Sequence, residues 1–456
     1  MDIFIVNIQG KYLIYAPLHQ VIALVNRCAA NEILNCLLTG DQTAHEEIST
    51  IVERLRRPGE PAPRPRSGDL SEPFFLGIIP TRGCDLGCIY CDFARSNVTR
   101  SVMSLDLARN AVDSYLDLLR RAGSSRAEIH FFGGEPFFEE SVVVFLVGYA
   151  ELRATELGIK PRFDVITNGV FSEKTCRWVA SHFDTVVVSL DGPGDIQERQ
   201  RPARNGRSTL GVVLRNLEIL ANSPAEVQLR ACITSDTVAR MPEIAEWFGK
   251  EIQPGAVCFE SLTRSTKSRQ AGLFPPDPWD FAVNFVQAMQ ILEGYGIDTI
   301  LSTALLDKTN TSFCPVGKDA LIVSPDGRVD ACYLLEEDWQ EKGLDLHLGH
   351  LNGQGFEINF EALERARMMN VYAKTLCANC LCRYHCAGAC HVNHDTSGLP
   401  GHYDEVCIQT RLVTMAGLLK KLDQSQVLEA WLNSRDGLEA SVYQETDRLC
   451  SLDLML

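Results

Sequence analysis

The chain opens on two short apolar runs, IFIVN and YLIYAPL, split by the turn-prone IQGK, and this pattern predicts a β-hairpin. Helical spacing is read next over roughly VIALVNRCAANEILNCLL (residues 21–38), and again over AHEEISTIVERLRR. The stretch PGEPAPRPRSG then breaks all periodicity and reads as a linker. From residue 73 to about 300, strand-length apolar runs alternate with longer helix-period segments. The strand candidates are FFLGIIP, EIHFFG, FDVITNG, TVVVSLDG, VQLRACIT and AVCFESL. Between the first two, Leu105, Ala108, Val112, Leu116 and Leu119 recur at spacings of three and four, one face of a helix. Strands alternating with helices predict parallel βα units in a curved sheet covered outside by helices. In such architectures the chemistry lies in loops after the C-terminal strand ends.

Beyond residue 310 the periodicity weakens, and it returns in a helix-like segment at 408–432. A small domain reads this way when metal clusters replace part of its apolar core. No internal repeat or low-complexity tract is evident.

Composition narrows the picture. The 456 residues exceed one small core, and 45% hydrophobic with 22% charged residues is ordinary for a globular protein. The formal charge of −16 repels phosphate backbones, so nucleic acid is not expected as a partner. The basic stretches at 54–66 and 264–270 read as solvated linker or loop, with docking of an acidic partner as the alternative. No apolar run is long enough for a membrane span, and MDIFIVNIQGKYLIYAPL lacks the marks of a secretory leader, so a cytoplasmic location is expected. In a reducing compartment, clustered cysteines among the 17 present point to metal ligation or redox chemistry.

The first cluster is IIPTRGCDLGCIYCDF, with Cys84, Cys88 and Cys91 spaced C-x3-C-x2-C directly after a strand. Three thiolates can hold three irons of a [4Fe–4S] cubane and leave the fourth open to an external chelator. A zinc loop closed by a distant ligand is the bland alternative. At later strand ends come FFGGEP, whose glycines permit close backbone approach, then ITNG, then SLDGPGDIQERQR with a hydroxyl, a carboxylate and a guanidinium.

Together these motifs resemble a radical S-adenosylmethionine enzyme. The resemblance implies that Cys84, Cys88 and Cys91 bind the catalytic cluster and that Tyr90 lies beside the adenine. Gly133, Gly134 and Glu135 are then expected at the methionyl amine, and Ser189 and Arg201 at the carboxylate or ribose. It further implies reductive cleavage of S-adenosylmethionine to a radical that takes hydrogen from unactivated C–H bonds.

The second array resembles the seven-cysteine SPASM pattern of radical enzymes acting on peptides. Cys314 is followed by x12-Gly327-x4-Cys332, then Cys377-x2-Cys380-x5-Cys386-x3-Cys390, then Cys407. By analogy, Cys377, Cys380, Cys386 and Cys407 hold an outer cluster, and Cys314, Cys332 and Cys390 an inner one. Seven cysteines serve two clusters that need eight ligands; Cys382 and Cys258 are candidates for the missing one, each also readable as a small buried side chain, and the remaining option is an open iron able to take a substrate group or water. Three [4Fe–4S] clusters are therefore expected.

The fold class expected is α/β, a partial (β/α)6 barrel of the radical SAM type, followed by a SPASM domain. The predicted boundaries are a 1–58 α+β extension, a 59–72 linker, a 73–305 core, a 306–410 SPASM domain and a 411–456 helical segment. The extension has the size of a peptide-recognition element that takes a leader as an edge strand, or it caps the barrel. The implied partners are a ribosomally made precursor peptide and an electron donor such as flavodoxin or ferredoxin. The implied reaction is hydrogen abstraction leading to a cross-link, with epimerisation using a thiol such as Cys232 or Cys258 as the alternative. The sulfatase-maturing branch places an aspartate after the second SPASM cysteine. Here that position is Tyr333, with Glu336, Glu337 and Asp338 nearby, which speaks against formylglycine formation. An electron-transfer protein without catalysis is the reading from another class.

Overall fold

A computed structural model describes residues 2–94, 101–394 and 402–443. The chain forms two compact units, Pro65–Leu301 with Cys314–Met369, and Met1–Arg64 with Ser302–Phe313 and Asn370–Leu456.

The smaller unit begins with an antiparallel sheet of β1 (Phe4–Ile8), β2 (Lys11–Ala16) and β3 (Val21–Asn26), in that spatial order. The third strand corrects the sequence reading, which ran the first helix from Val21. The helix occupies Arg27–Thr39, and Asn26 caps it by accepting from the Ala29 N–H. VIALVN is rich in β-branched residues and pairs with β2 along its whole length. A second helix, Glu46–Arg56, follows. Ile5, Ile14, Val21, Ile33, Val52 and Leu55 close a core between this sheet and its helices. No strand or helix occupies residues 57–75, where the linker was expected.

The larger unit holds one sheet of eleven strands. Its parallel part runs from β4 (Leu76–Ile78) through β5 (Arg126–Phe131), β6 (Lys160–Thr167), β7 (Thr185–Ser189), β8 (Glu226–Ile233) and β9 (Ala256–Ser261) to β10 (Asp298–Ile300). The six strands read from the sequence are β4 to β9, in chain order with helices between, as the partial barrel requires. The helix Leu105–Ala122 illustrates the packing. Ser104 caps its start, Gly123 ends it at φ 73°, and Ala108, Val112, Leu116 and Leu119 are buried. Leu105, in the first turn, stays outside at 46% exposure.

Beside β4 the sheet continues through β11 (Leu321–Val323), β12 (Arg328–Asp330), β13 (His347–Asn352) and β14 (Gly355–Ile358). Strand β11 pairs parallel to β4, and the rest run antiparallel. Residues 314–369 therefore extend the core sheet, a grouping different from the expected 306–410 domain. The helix-like 408–432 segment is two helices, Glu405–Lys421 and Ser425–Leu432, broken where Asp423 adopts φ 53°. None of the described helices is long and apolar enough to cross a membrane.

Candidate active site

The three-cysteine loop leaves the C-terminal end of β4, and its backbone is sewn to two neighbouring loops. On one side Gly134 N–H donates to Thr81 O and Glu135 N–H to Gly83 O. On the other, Gly87 N–H donates to Pro202 O, Ile89 N–H to Gln200 O and Arg204 N–H to Asp85 O. Two of the later motifs thus flank the cysteines. The glycines are required sterically. A Cβ on Gly134 would lie 2.2 Å from Gly83 O, and Gly133 sits at φ 143° against Ile79 and Thr81.

Cys88 is buried, and Cys84 and Cys91 are half-buried. The Cys84 sulfur accepts from the Leu86 N–H at 3.4 Å, and the Asn168 amide lies 3.8 Å away. Burial holds the Cys84 thiol well above its usual range and pushes Cys88 up to about 11, the latter opposed by the nearby Arg201 charge. Thiols so placed keep their protons until a metal displaces them. Three neighbouring sulfurs with backbone N–H support form a donor set that fits an iron–sulfur cluster.

Glu135 is 2% exposed and faces inward. Its carboxylate accepts from the Thr167 hydroxyl (2.7 Å), the Asn168 N–H (2.7 Å) and the Phe137 N–H (3.2 Å). Its first task is therefore to brace the loop, and three of its lone pairs are already committed. Burial pushes its carboxyl up to about 7 against the pull of those donors.

Tyr90 and Arg201 come together. The Arg201 guanidinium donates to the Tyr90 hydroxyl at 2.7 Å, and that hydroxyl donates to Asp191 Oδ2 at 2.7 Å. Asp191, 1% exposed, also accepts from the Gln200 amide and the Cys232 N–H. Ser189 ends β7 in register with Arg230 of β8. Its hydroxyl makes no hydrogen bond among the described residues.

Tyr333 packs its ring edge-on to Phe132 (4.9 Å between centroids) and parallel to Phe75. Its hydroxyl lies over Gly77, where a Cβ would come within 2.6 Å, and burial keeps the phenol far above its usual range. The acidic trio beside it opens the helix Glu336–Gln340, and Glu336 pairs with Arg328, which suits a structural turn.

The second array is divided between the units. Cys314 and Cys332 belong to the larger one and Cys390 to the smaller. The Cys332 sulfur accepts from the Leu334 N–H at 3.5 Å, the same two-residue turn seen at Cys84. In the smaller unit Cys377, Cys380, Cys386 and Cys407 line one pocket, again a donor set that fits a cluster. Cys382 is 1% exposed and lines that same pocket. The turn after Cys386 is tight, with Ala387, Gly388 and Ala389 all at positive φ.

The family model for the radical SAM superfamily matches residues 78–248, which span the cysteine loop and the motifs around it. This segment is a radical SAM domain. The family binds S-adenosylmethionine and a [4Fe–4S] cluster. A cysteine-type anaerobic sulfatase-maturating enzyme of Clostridium perfringens is 23% identical over 351 residues, covering 71% of this chain and 90% of that protein. The radical SAM cyclopropyl synthase TigE of Paramaledivibacter caminithermalis is 20% identical, covering 69% of this chain and 67% of its own length. The solved structure of native anSMEcpe with bound AdoMet and Cp18Cys peptide superposes with a TM-score of 0.59 at 18% identity, over 78% of this chain and 99% of that one. This last likeness establishes the shared fold.

Within the radical SAM domain, three residues were quoted in the sequence motifs yet given no role. Asp191 is the hub that Tyr90 and Arg201 share, and Thr167 and Asn168 anchor Glu135. Their signal is polar residues clustered at buried strand ends, in SLDG and ITNG, where a plain turn would leave them facing water.

Proposed function

We propose that the chain is a radical SAM/SPASM maturase that takes a hydrogen atom from a residue of a ribosomally made precursor peptide and closes an intramolecular cross-link. The observation that carries this reading is the pairing of two thiol sets. One is a three-cysteine loop flanked by the Tyr90–Asp191–Arg201 chain, and the other is the pocket of Cys377, Cys380, Cys386 and Cys407. In this reading Cys84, Cys88 and Cys91 hold the catalytic cluster. The four pocket cysteines hold the outer auxiliary cluster, and Cys314, Cys332 and Cys390 hold the inner one. When bound, these groups supply a hydrogen-abstracting radical from S-adenosylmethionine and a route for electrons.

The chain's own residues supply position. Gly133 and Gly134 let the loop after β5 close onto the cysteine loop, while Arg201 and Ser189 offer a cation and a hydroxyl to the ligand's carboxylate or ribose. The peptide-acting relatives support the substrate class. The N-terminal sheet supports leader binding. At one edge, β1 is occupied, since the Ser441 hydroxyl donates to Asn7 O. At the other, β3 has no strand partner among the described residues, so an extended peptide can add there. Flavodoxin or ferredoxin completes the electron supply.

The test is to incubate reconstituted, reduced enzyme and S-adenosylmethionine with the peptide encoded beside its gene. Loss of two hydrogens from the product is the expected result. Epimerisation is favoured by one observation, the Cys232 thiol, which burial and Asp191 hold protonated well above its usual range. A mass unchanged in H2O but raised by one non-exchangeable α-carbon deuterium in D2O, a gain abolished in C232A, supports that alternative and defeats the cross-link.

A further inference from the structure

The outer pocket contains a guanidinium with no counterpart in the cysteine pattern. Arg411 lies four residues after Cys407 on the helix Glu405–Lys421, hence one turn along the same face. It is 0% exposed. Its Nη1 donates to the Cys380 sulfur at 3.4 Å, and its guanidinium carbon sits 4.3 Å from the centre of the Tyr403 ring. Burying such a charge is costly unless an anionic partner faces it. The Cys380 sulfur is the partner that its Nη1 meets.

We propose that Arg411 is a positioning residue of the outer cluster, fixing Cys380 as a ligand and holding that cluster's reduction potential up. The proposal rests on the reading that Cys377, Cys380, Cys386 and Cys407 bind a [4Fe–4S] cluster. A tetrathiolate cluster is anionic and becomes more so on reduction, so a buried cation at one sulfur favours the reduced form. An N–H donor to sulfur acts in the same direction. The other charged groups of the pocket are differently committed. Arg383, the other guanidinium lining the pocket, is paired with Asp2, the Lys374 ammonium is bonded to the Gly388 carbonyl, and His394, 3.6 Å from the Cys407 sulfur, is paired with Asp404. Arg411 brings a fixed charge that no pH in the working range removes.

The experiment uses the full chain carrying C84A, C88A, C91A, C314A and C332A, so that only the outer site can hold a cluster. About four irons per chain are expected there. If the site holds none, the cluster reading fails and the proposal with it. With iron present, the midpoint potential is read by electron paramagnetic resonance during redox titration. R411Q is expected to shift the midpoint to a more negative value, with R411K in between. An unchanged midpoint in R411Q at unchanged iron content overturns the proposal and leaves the cluster reading intact. Should R411Q lose its iron, the parent chain grown with guanidino-15N arginine decides. A hyperfine coupling from an arginine nitrogen to the reduced cluster supports the assignment, and its absence overturns it.

Discussion

At the scale of single residues, the site depends on two buried carboxylates, Asp191 and Glu135, that each accept three hydrogen bonds. Asp191 accepts from Tyr90, Gln200 and Cys232, and replacing one of its oxygens with an amide strands at least one donor. D191N should cost about 1–3 kcal/mol of stability and weaken S-adenosylmethionine binding by roughly tenfold. Chemical denaturation and equilibrium dialysis check the two numbers, and wild-type affinity in D191N would remove Asp191 from the site. Glu135 makes a pH prediction. Its folded-state carboxyl sits near 7 against 4.5 for the ordinary group. Between those values the unfolded chain has released a proton that the fold retains, so stability falls as pH rises through this window, by roughly 3 kcal/mol at most. Iron-free wild type should lose more stability than E135Q between pH 4.5 and 7, the difference between the two profiles being the Glu135 contribution. A parallel decline in both would assign the effect to another group. That the cysteine loop, GGE and the Arg201 segment belong together was legible in the sequence, because each motif follows a strand end of one sheet. The inward turn of Glu135 was not, since it depends on Thr167 and Asn168 arriving from the next strand end.

Among the elements, the loops after β4 and β5 act as a pair. A Cβ at Gly134 would meet backbone at Gly83 and Arg82, and the chain just ahead of Cys84 would have to move. G134A should therefore retain the auxiliary iron while losing S-adenosylmethionine cleavage by about 100-fold, the scale expected for a displacement of about an ångström at a reacting centre. Retained cleavage in G134A would mean that the contact is slack. The N-terminal sheet carries a second prediction at this scale. Tyr15 of β2 bonds His385, and Asp2 bonds Tyr384 and Arg383, all within two or three residues of Cys386. Deleting residues 1–58 should weaken peptide binding and also strip iron from the outer site. Full iron content after the deletion would make the sheet an independent appendage. Strand β3 escaped the sequence reading because only Asn26 and Arg27 separate its apolar run from the helix. Asn26, a good cap ahead of an alanine-rich turn, was the available signal.

Over the whole molecule, the α/β alternation from β4 to β9 was readable because each strand is short, holds buried apolar residues and is followed by a helix. ALIVSPDGRVDACY does read as a strand and a turn, but the joining of β11 to β14 onto this sheet was not readable, since three of the four are only three or four residues long. Their pairing depends on the edge that β4 offers, a long-range partner that local pattern does not reveal. The central claim is that three cysteines bind a cluster whose fourth corner belongs to S-adenosylmethionine. The direct measurement compares reduced wild type with C84A/C88A/C91A for 5′-deoxyadenosine release and iron content. Wild type should release the nucleoside and hold roughly twelve irons, and the variant should release none while keeping roughly eight. Release that persists in the variant would contradict the account.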